Sequence, residues 1–179
     1  MKKTTCALLV SDGTSVLAGL PTGKKDGLNQ YDIAGKGCLD PGETELEAAV
    51  RELQEETGLE ADPRSMSIKD LGRFPYTREK DLHLFSLHVD EMPKAETLHC
   101  DSTFESYGRE LPELSAFRIV MTDDLEWFYP ALQPILRSAL SKDWLSKEAL
   151  PLSTLKVLRR PVSRVEKKTN TGRLYPHTV

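Results

Sequence analysis

The sequence predicts a single α/β domain that combines several short strands with a few helices. Three observations predict it. Short apolar runs of strand length, bounded by turn residues, recur between residues 4 and 121. One segment, residues 44–57, carries the period of an amphipathic helix between a capping signal and a glycine stop. The length, 179 residues, suffices for one compact core with an appendage.

The elements follow in order. Residues 4–10 (TTCALLV) and 15–20 (SVLAGL) read as two strands, and Asp12-Gly13 between them is a hairpin signal. Residues 21–30 (PTGKKDGLNQ) form a polar loop. A short strand, YDIA, leads into the glycine-rich turn Gly35-Lys36-Gly37. Thr44 and Glu47 then make a capping-box pattern, and Leu46, Ala49, Val50 and Leu53 recur on one helical face. Gly58 supplies the C-terminal stop. Residues 66–74 and 82–90 are further strands, 91–112 a long irregular loop, and 116–121 (AFRIVM) another strand. Residues 130–149 have helical periodicity, with Leu132, Ile135, Leu136, Ala139 and Leu140 on one face.

This division gives a domain over 1–140 and a C-terminal helical and basic extension over 141–179. The extension carries Lys156, Arg159, Arg160, Arg164, Lys167, Lys168 and Arg173 against Glu166 as its one acid from about residue 150 onward. It is read as a solvated or partner-docked terminus; the competing reading is an arm for a polyanion.

Composition excludes several classes. A net charge of −4 argues against a general nucleic-acid coat protein. Cys6, Cys38 and Cys100 are far apart and form no CxxC pair, which argues against a zinc site or a disulfide framework. The apolar run after Met1-Lys2-Lys3 stops at Ser11-Asp12, too short for a signal sequence, and no window reaches a transmembrane length. A cytoplasmic protein is expected.

The residues that point to chemistry are acidic. On a helix Glu52, Glu55 and Glu56 stand at i, i+3 and i+4 and share one face, read as lying away from the Leu46/Val50/Leu53 stripe. Adjacent carboxylates repel, and these lie toward the helix C-terminus, where the macrodipole disfavours them. A solvated face tolerates this. A cation would remove the repulsion, and hard oxygen donors at this density suit Mg²⁺ or Mn²⁺. The preceding glycine-rich turn would let a ligand approach the backbone closely.

From Gly37 to Leu59 the chain resembles the Nudix box, G-x5-E-x7-R-E-U-x-E-E-x-G-U with U aliphatic. Gly37, Glu43, Arg51-Glu52-Leu53, Glu55-Glu56, Gly58 and Leu59 fill every defined position. The resemblance implies a Nudix-type α/β/α sandwich with a mixed β-sheet and a loop–helix–loop metal motif. It implies a Mg²⁺-dependent pyrophosphohydrolase, with Mn²⁺ as the other candidate metal, cleaving a nucleoside diphosphate linked to another group by attack of water on phosphorus. Carried over by position, Glu52, Glu55, Glu56 and the carbonyl of Lys36 are the metal ligands. Glu43 and Arg51 pair and hold the loop on the helix. Glu52 or Glu55 is the expected base, with a loop glutamate outside the box as another candidate.

PELSAFRIV, residues 112–120, resembles a segment of bacterial RNA pyrophosphohydrolases whose glutamate contributes to the metal site. Glu113 is the corresponding residue, and Glu105 and Glu110 compete with it. YDIAGKG is similar to the W-D-x-P-K-G segment of dinucleoside polyphosphate and RNA-end hydrolases, with Tyr31 in place of tryptophan. Gly35 stands where a proline is common, and it is expected to loosen the loop. Cys38 at the metal loop is read as a passive small residue. FYPALQPIL resembles a segment near the end of RNA pyrophosphohydrolases, and Trp127 and Phe128 are read as packing the last helix. Tyr76 with Arg78 and Lys80, and Tyr107 with Arg109, each combine an aromatic with a cation and offer stacking and phosphate contact. His83 and His88 alternate with apolar residues and are read as structural.

The substrate stays open among dinucleoside polyphosphates, RNA 5′ ends, nucleotide sugars or ADP-ribose, and NTPs. The alternative class is a non-catalytic Nudix module that senses a ligand or acts through the basic tail. A homodimer is compatible with the family resemblance.

Overall fold

The computed structural model describes residues 2–65, 67–141 and 155–157. In chain order the elements are β1 (Lys3–Ser11), β2 (Ser15–Pro21), β3 (Asp32–Ile33), β4 (Lys36–Cys38), α1 (Glu45–Thr57), β5 (Leu59–Glu60), β6 (Ile68–Pro75), β7 (Lys80–His88), β8 (Thr103–Ser106), β9 (Arg109–Pro112), β10 (Leu114–Met121), α2 (Gln133–Ser141) and β11 (Lys156–Val157). Single 3₁₀ turns occupy Ala95–Thr97 and Leu125–Trp127.

The main sheet runs β10-β2-β1-β7-β6, with β3 beside β2 and β4 beside β1. It is mixed: β1 and β7 are parallel from Lys3↔Lys80 to Ser11↔His88, while the other pairs are antiparallel. The Asp12-Gly13 turn joins β1 and β2, which pair only at Ser11↔Val16 and then part. β4 lies against β1 at Thr5–Ala7, and β3 lies against β2 at Ala18–Gly19. The glycine-rich turn 35–37 therefore enters between two diverging strands.

Two helical layers cover the sheet. Strand side chains alternate between faces, so Cys6, Leu8, Val10 and Leu17 meet Ala48, Ala49 and Leu53 of α1. Ala7, Leu9, Val16 and Ala18 face the other way, against Phe128, Leu132, Ile135, Leu136 and Ala139. The result is the expected α/β/α sandwich.

The segment expected to be irregular over 91–112 contains the β8–β9 hairpin, a two-stranded sheet of its own. Its turn, Tyr107-Gly108, has φ of 50° and 73°, a primed turn matched to strand twist. Tyrosine rarely adopts that conformation, so the sequence carries no ordinary turn signal there. Of the helix expected over 130–149, α2 (Gln133–Ser141) is observed, and residues 142–149 lie outside the described residues. The basic-tail reading also falls outside them, except that β11 pairs with β5 and Leu155 is buried on the α1 side. Among the described residues no helix is long and apolar enough to cross a membrane.

Candidate active site

α1 begins with the expected capping box. Thr44 Oγ1 accepts the Glu47 N–H at 3.3 Å, and Glu47 Oε2 accepts the Thr44 N–H at 2.8 Å. It ends at Gly58, φ 74°. A helix leaves its last carbonyls unsatisfied, and here another segment takes them. The N–H groups of Asp101 and Ser102 donate to the Glu55 carbonyl at 2.7 and 3.0 Å, and the His99 N–H donates to Thr57 at 3.3 Å. The Glu113 N–H in turn donates to the Ser102 carbonyl at 2.9 Å. The backbone of Glu113 is thus two hydrogen bonds from that of Glu55, and its side chain is exposed. Glu105 and Glu110 lie opposite each other on the hairpin.

The three box carboxylates do not share a solvated face. Glu52 and Glu56 are 6% and 4% exposed, whereas Glu55 is only half-buried. The reason is that the 35–37 turn lies across this part of the helix. Glu56 Oε2 accepts the N–H of Gly35 at 2.7 Å and that of Lys36 at 3.1 Å. Gly35 has φ 86°, and a Cβ there would stand 2.8 Å from the Leu53 Cα. The glycine expected to loosen the loop is a fixed contact, and it provides an N–H that proline lacks. A Cβ on Gly37 would collide with the Glu52 carboxylate.

Arg51 is the hub. Its Nε and Nη2 donate to the two carboxylate oxygens of Glu43 at 2.7 and 3.0 Å, the expected pair in bidentate form. Nη2 also donates to the Cys38 carbonyl at 3.1 Å, fastening the loop. Nη1 reaches Glu52 at 2.7 Å and Glu55 at 3.2 Å. The bonds to Glu43 raise the guanidinium pKa, against burial. Burial pushes the Glu56 carboxyl up to about 8, against the pull of the Lys36 N–H, the Lys36 ammonium and the Gly35 N–H. Burial also opposes the Lys36 charge, but Asp32, 3.2 Å from Nζ, and other nearby groups outweigh it and lift its pKa above the ordinary lysine value.

A NUDIX domain family model matches residues 2–138. The chain belongs to the Nudix family. It is 31% identical over 140 residues to an uncharacterised 17.7 kDa protein of Enterobacteria phage T4, covering 73% of this chain and 90% of that one. It is 49% identical over 47 residues to an RNA pyrophosphohydrolase of Erythrobacter litoralis, about a quarter of either chain, 26% in each case. Among solved structures it resembles a Streptococcus suis ADP-ribose pyrophosphatase (TM-score 0.53, 17% identity, 84% of this chain and 98% of that one). It also resembles MutT studied from Aliivibrio salmonicida and Vibrio cholerae (TM-score 0.53, 18% identity, 79% and 99%). At those identities the structures show the fold. Family membership with a complete box makes the chain a Nudix-type nucleotide pyrophosphohydrolase by class.

The donor set of this Nudix protein fits a hard divalent cation chemically, because every donor is oxygen. Among the described residues, however, no three His, Cys, Asp or Glu side chains converge as a ready-made metal group. Two of the box carboxylates, Glu52 and Glu55, meet on the Arg51 guanidinium.

The remaining candidates fall elsewhere on the Nudix fold. Cys38 is exposed on β4. Tyr76 lies under the Lys36 ammonium, 5.5 Å from the ring centre, and Arg78 is exposed. Phe128 is fully buried in the α2-side core, with Trp127 packed at its edge. His83 stacks on Phe85 and contacts Asp70 at 2.8 Å. Tyr107 and Arg109 are exposed on the hairpin. One cluster escaped sequence reading. Arg118 lies 4.0 Å from the Trp127 ring centre and donates to both carboxylate oxygens of Asp26, and the Tyr31 hydroxyl donates to Asp26 at 2.8 Å. Asp26 and Arg118 come from a loop and a strand far apart in the chain, so no local pattern marks them.

Proposed function

We propose that this Nudix protein is a Mg²⁺-dependent pyrophosphohydrolase acting on a nucleoside diphosphate linked to another group, with Mn²⁺ as a substitute metal. Glu52, Glu55, Glu56, the Lys36 carbonyl and Glu113 would hold the metal. The observation that carries the reading is the gathering of Glu52 and Glu55 on Arg51, beside a Glu56 anchored to the Gly35 and Lys36 amides. Bound metal supplies charge neutralisation at phosphate and a more acidic water.

The chain's own residues do the rest. Glu55, the most exposed of the three, is placed to accept a proton from water, and Glu52 is the second candidate base. On loading, Glu52 and Glu55 would exchange Arg51 for the cation. Arg51 would stay bound to Glu43 and the Cys38 carbonyl and keep the loop in place. Glu113 would close the site from the loop stitched to the end of α1. A cytoplasmic location remains part of this proposal.

The test is a Mg²⁺-dependent hydrolysis panel with product identification. It contains a dinucleoside polyphosphate, a 5′-triphosphate RNA, ADP-ribose, a nucleotide sugar and dNTPs. The RNA pyrophosphohydrolase relative supports including the RNA end. One preferred substrate is expected, with turnover abolished in Glu55→Gln and Glu56→Gln while the fold is kept. Near-full activity in either variant would remove that residue from the site. Ligand binding without turnover under Mg²⁺ or Mn²⁺ would favour the non-catalytic, ligand-sensing reading.

A further inference from the structure

We propose that the groove between the Ala95–Thr97 turn and β10 is the seat of the chain's own C-terminal tail, residues 158–165. The groove is open, holds about 630 Å³ and is walled by Leu98, His99, Cys100, Leu114 and Phe117. Its walls are mostly apolar. One side is β10, which ends the main sheet and has no further strand beside it among the described residues. An apolar groove along a bare strand edge is a surface that extended chain fits.

The root of the tail is already fixed near this groove. Leu155 is buried in the same apolar cluster as Leu59, Leu98 and Leu114. β11 pairs antiparallel with β5, Lys156 opposite Glu60 and Val157 opposite Leu59. The next step in that register is opposite Gly58, so the chain leaves Val157 heading back toward the end of α1. A Cβ on Gly58 would strike the His99 ring, and the His99 N–H donates to the Thr57 carbonyl at 3.3 Å. His99 is itself a wall of the groove. The register thus points the residues after Val157 at the groove.

The chemistry of those residues suits it. They read Leu158-Arg159-Arg160-Pro161-Val162-Ser163-Arg164-Val165. Leu158, Val162 and Val165 supply apolar side chains for the walls. Pro161 restrains the residue before it to extended backbone. The segment holds three arginines and no acid, whereas the rim offers Glu96 and, between the lining residues Pro112 and Leu114, Glu113, both exposed. A second copy or a separate peptide competes only at its own concentration. A segment joined to Val157 acts at an effective concentration on the order of millimolar. Residues 158–165, when extended, reach roughly 26 Å. Docking would lay the tail against the loop that carries Glu113.

The test is photocrosslinking of the full chain with benzoylphenylalanine in place of Val162. Irradiation is expected to join position 162 to residues 98–100 or 114–117 of the same chain, as read by peptide mass spectrometry. Links to other surfaces, or no links, overturn the proposal. Links between two chains overturn it as well, because they make the occupant a second copy. Hydrogen exchange gives an independent reading. Leu158→Asp and Val162→Asp should each speed exchange at residues 98–100 and 114–117 by at least about tenfold, with β1 and β7 unchanged. Unchanged exchange at the groove in both variants overturns the proposal. A rise that extends to β1 and β7 marks unfolding of the variant, and the crosslink then decides.

Discussion

Gly37 and the Glu52 carboxylate share one space: a Cβ on Gly37 would overlap the carboxyl carbon and both its oxygens. The box glycine is thus fixed by a side chain on the facing helix. Gly37→Ala should push Glu52 off Arg51 and lower stability by roughly 1–3 kcal/mol, the usual cost of overpacking. The kcat/KM of the variant should fall about 100-fold, as for a misplaced catalytic group. A thermal melt and a hydrolysis assay check this. Unchanged kcat/KM would show that Glu52 does not need this position.

Arg51→Lys keeps the charge and should still fail. A lysine cannot bind both oxygens of Glu43 while reaching Glu52 and the Cys38 carbonyl. The loop would lose its fastening, and Mg²⁺ affinity should drop about 10–100-fold, as for other residues that orient metal ligands. Titrating activity against Mg²⁺, with calorimetry alongside, measures it. Wild-type affinity in the lysine variant would exclude Arg51 as the organiser of the site.

The three cysteines should separate cleanly by reactivity. Burial pushes the Cys6 thiol up to about 12 and that of Cys100 up to about 11, whereas Cys38 is exposed. The thiolate is the reactive form. Iodoacetamide on the folded protein should therefore modify Cys38 alone, and all three only after denaturation. Peptide mass spectrometry reads the sites.

Asp12 should contribute an acid-labile part of the stability. Burial opposes its charge, but the N–H groups of Thr14 and Ser15, at 2.9 and 2.7 Å, and the hydroxyls of both residues outweigh it. Its pKa falls below the ordinary value of 3.8. A lowered folded-state pKa gives stability that is present above the unfolded value and lost as pH falls through the folded one. Asp12→Ala should cost about 1 kcal/mol at neutral pH. Denaturation at pH 7 and at pH 3 should show the gap to wild type shrinking in acid.

What was legible in the sequence was mostly local. Thr44, Glu47, Leu53 and Gly58 lie within one helix, and rules of spacing read its caps and one apolar face. The same rules placed the Asp12-Gly13 turn and the α2 face. Burial was harder, because it depends on what crosses over a residue. Nothing in the local pattern marks Glu52 and Glu56 as buried, because the 35–37 turn that lies on them is brought there by the fold. Gly35 was misjudged for the same reason: its role is set by Leu53 and Glu56, not by its neighbours in the chain. The hairpin at Tyr107 was missed because a tyrosine fills a turn position that usually announces itself with asparagine or glycine.

The parallel pairing of β1 with β7 also sets an order of assembly. β1 precedes the other strands of this sheet in chain order and lies in the middle of it, and the strand that covers one of its edges begins at Lys80. While the chain is still on the ribosome, TCALLV has β2 to hand at the turn but no partner along that edge. Such an edge is a template for another nascent chain. Contacts this distant in sequence also slow folding. The helix bearing the carboxylates emerges before β7, so it waits on an unfinished sheet until more than half of the domain has been made.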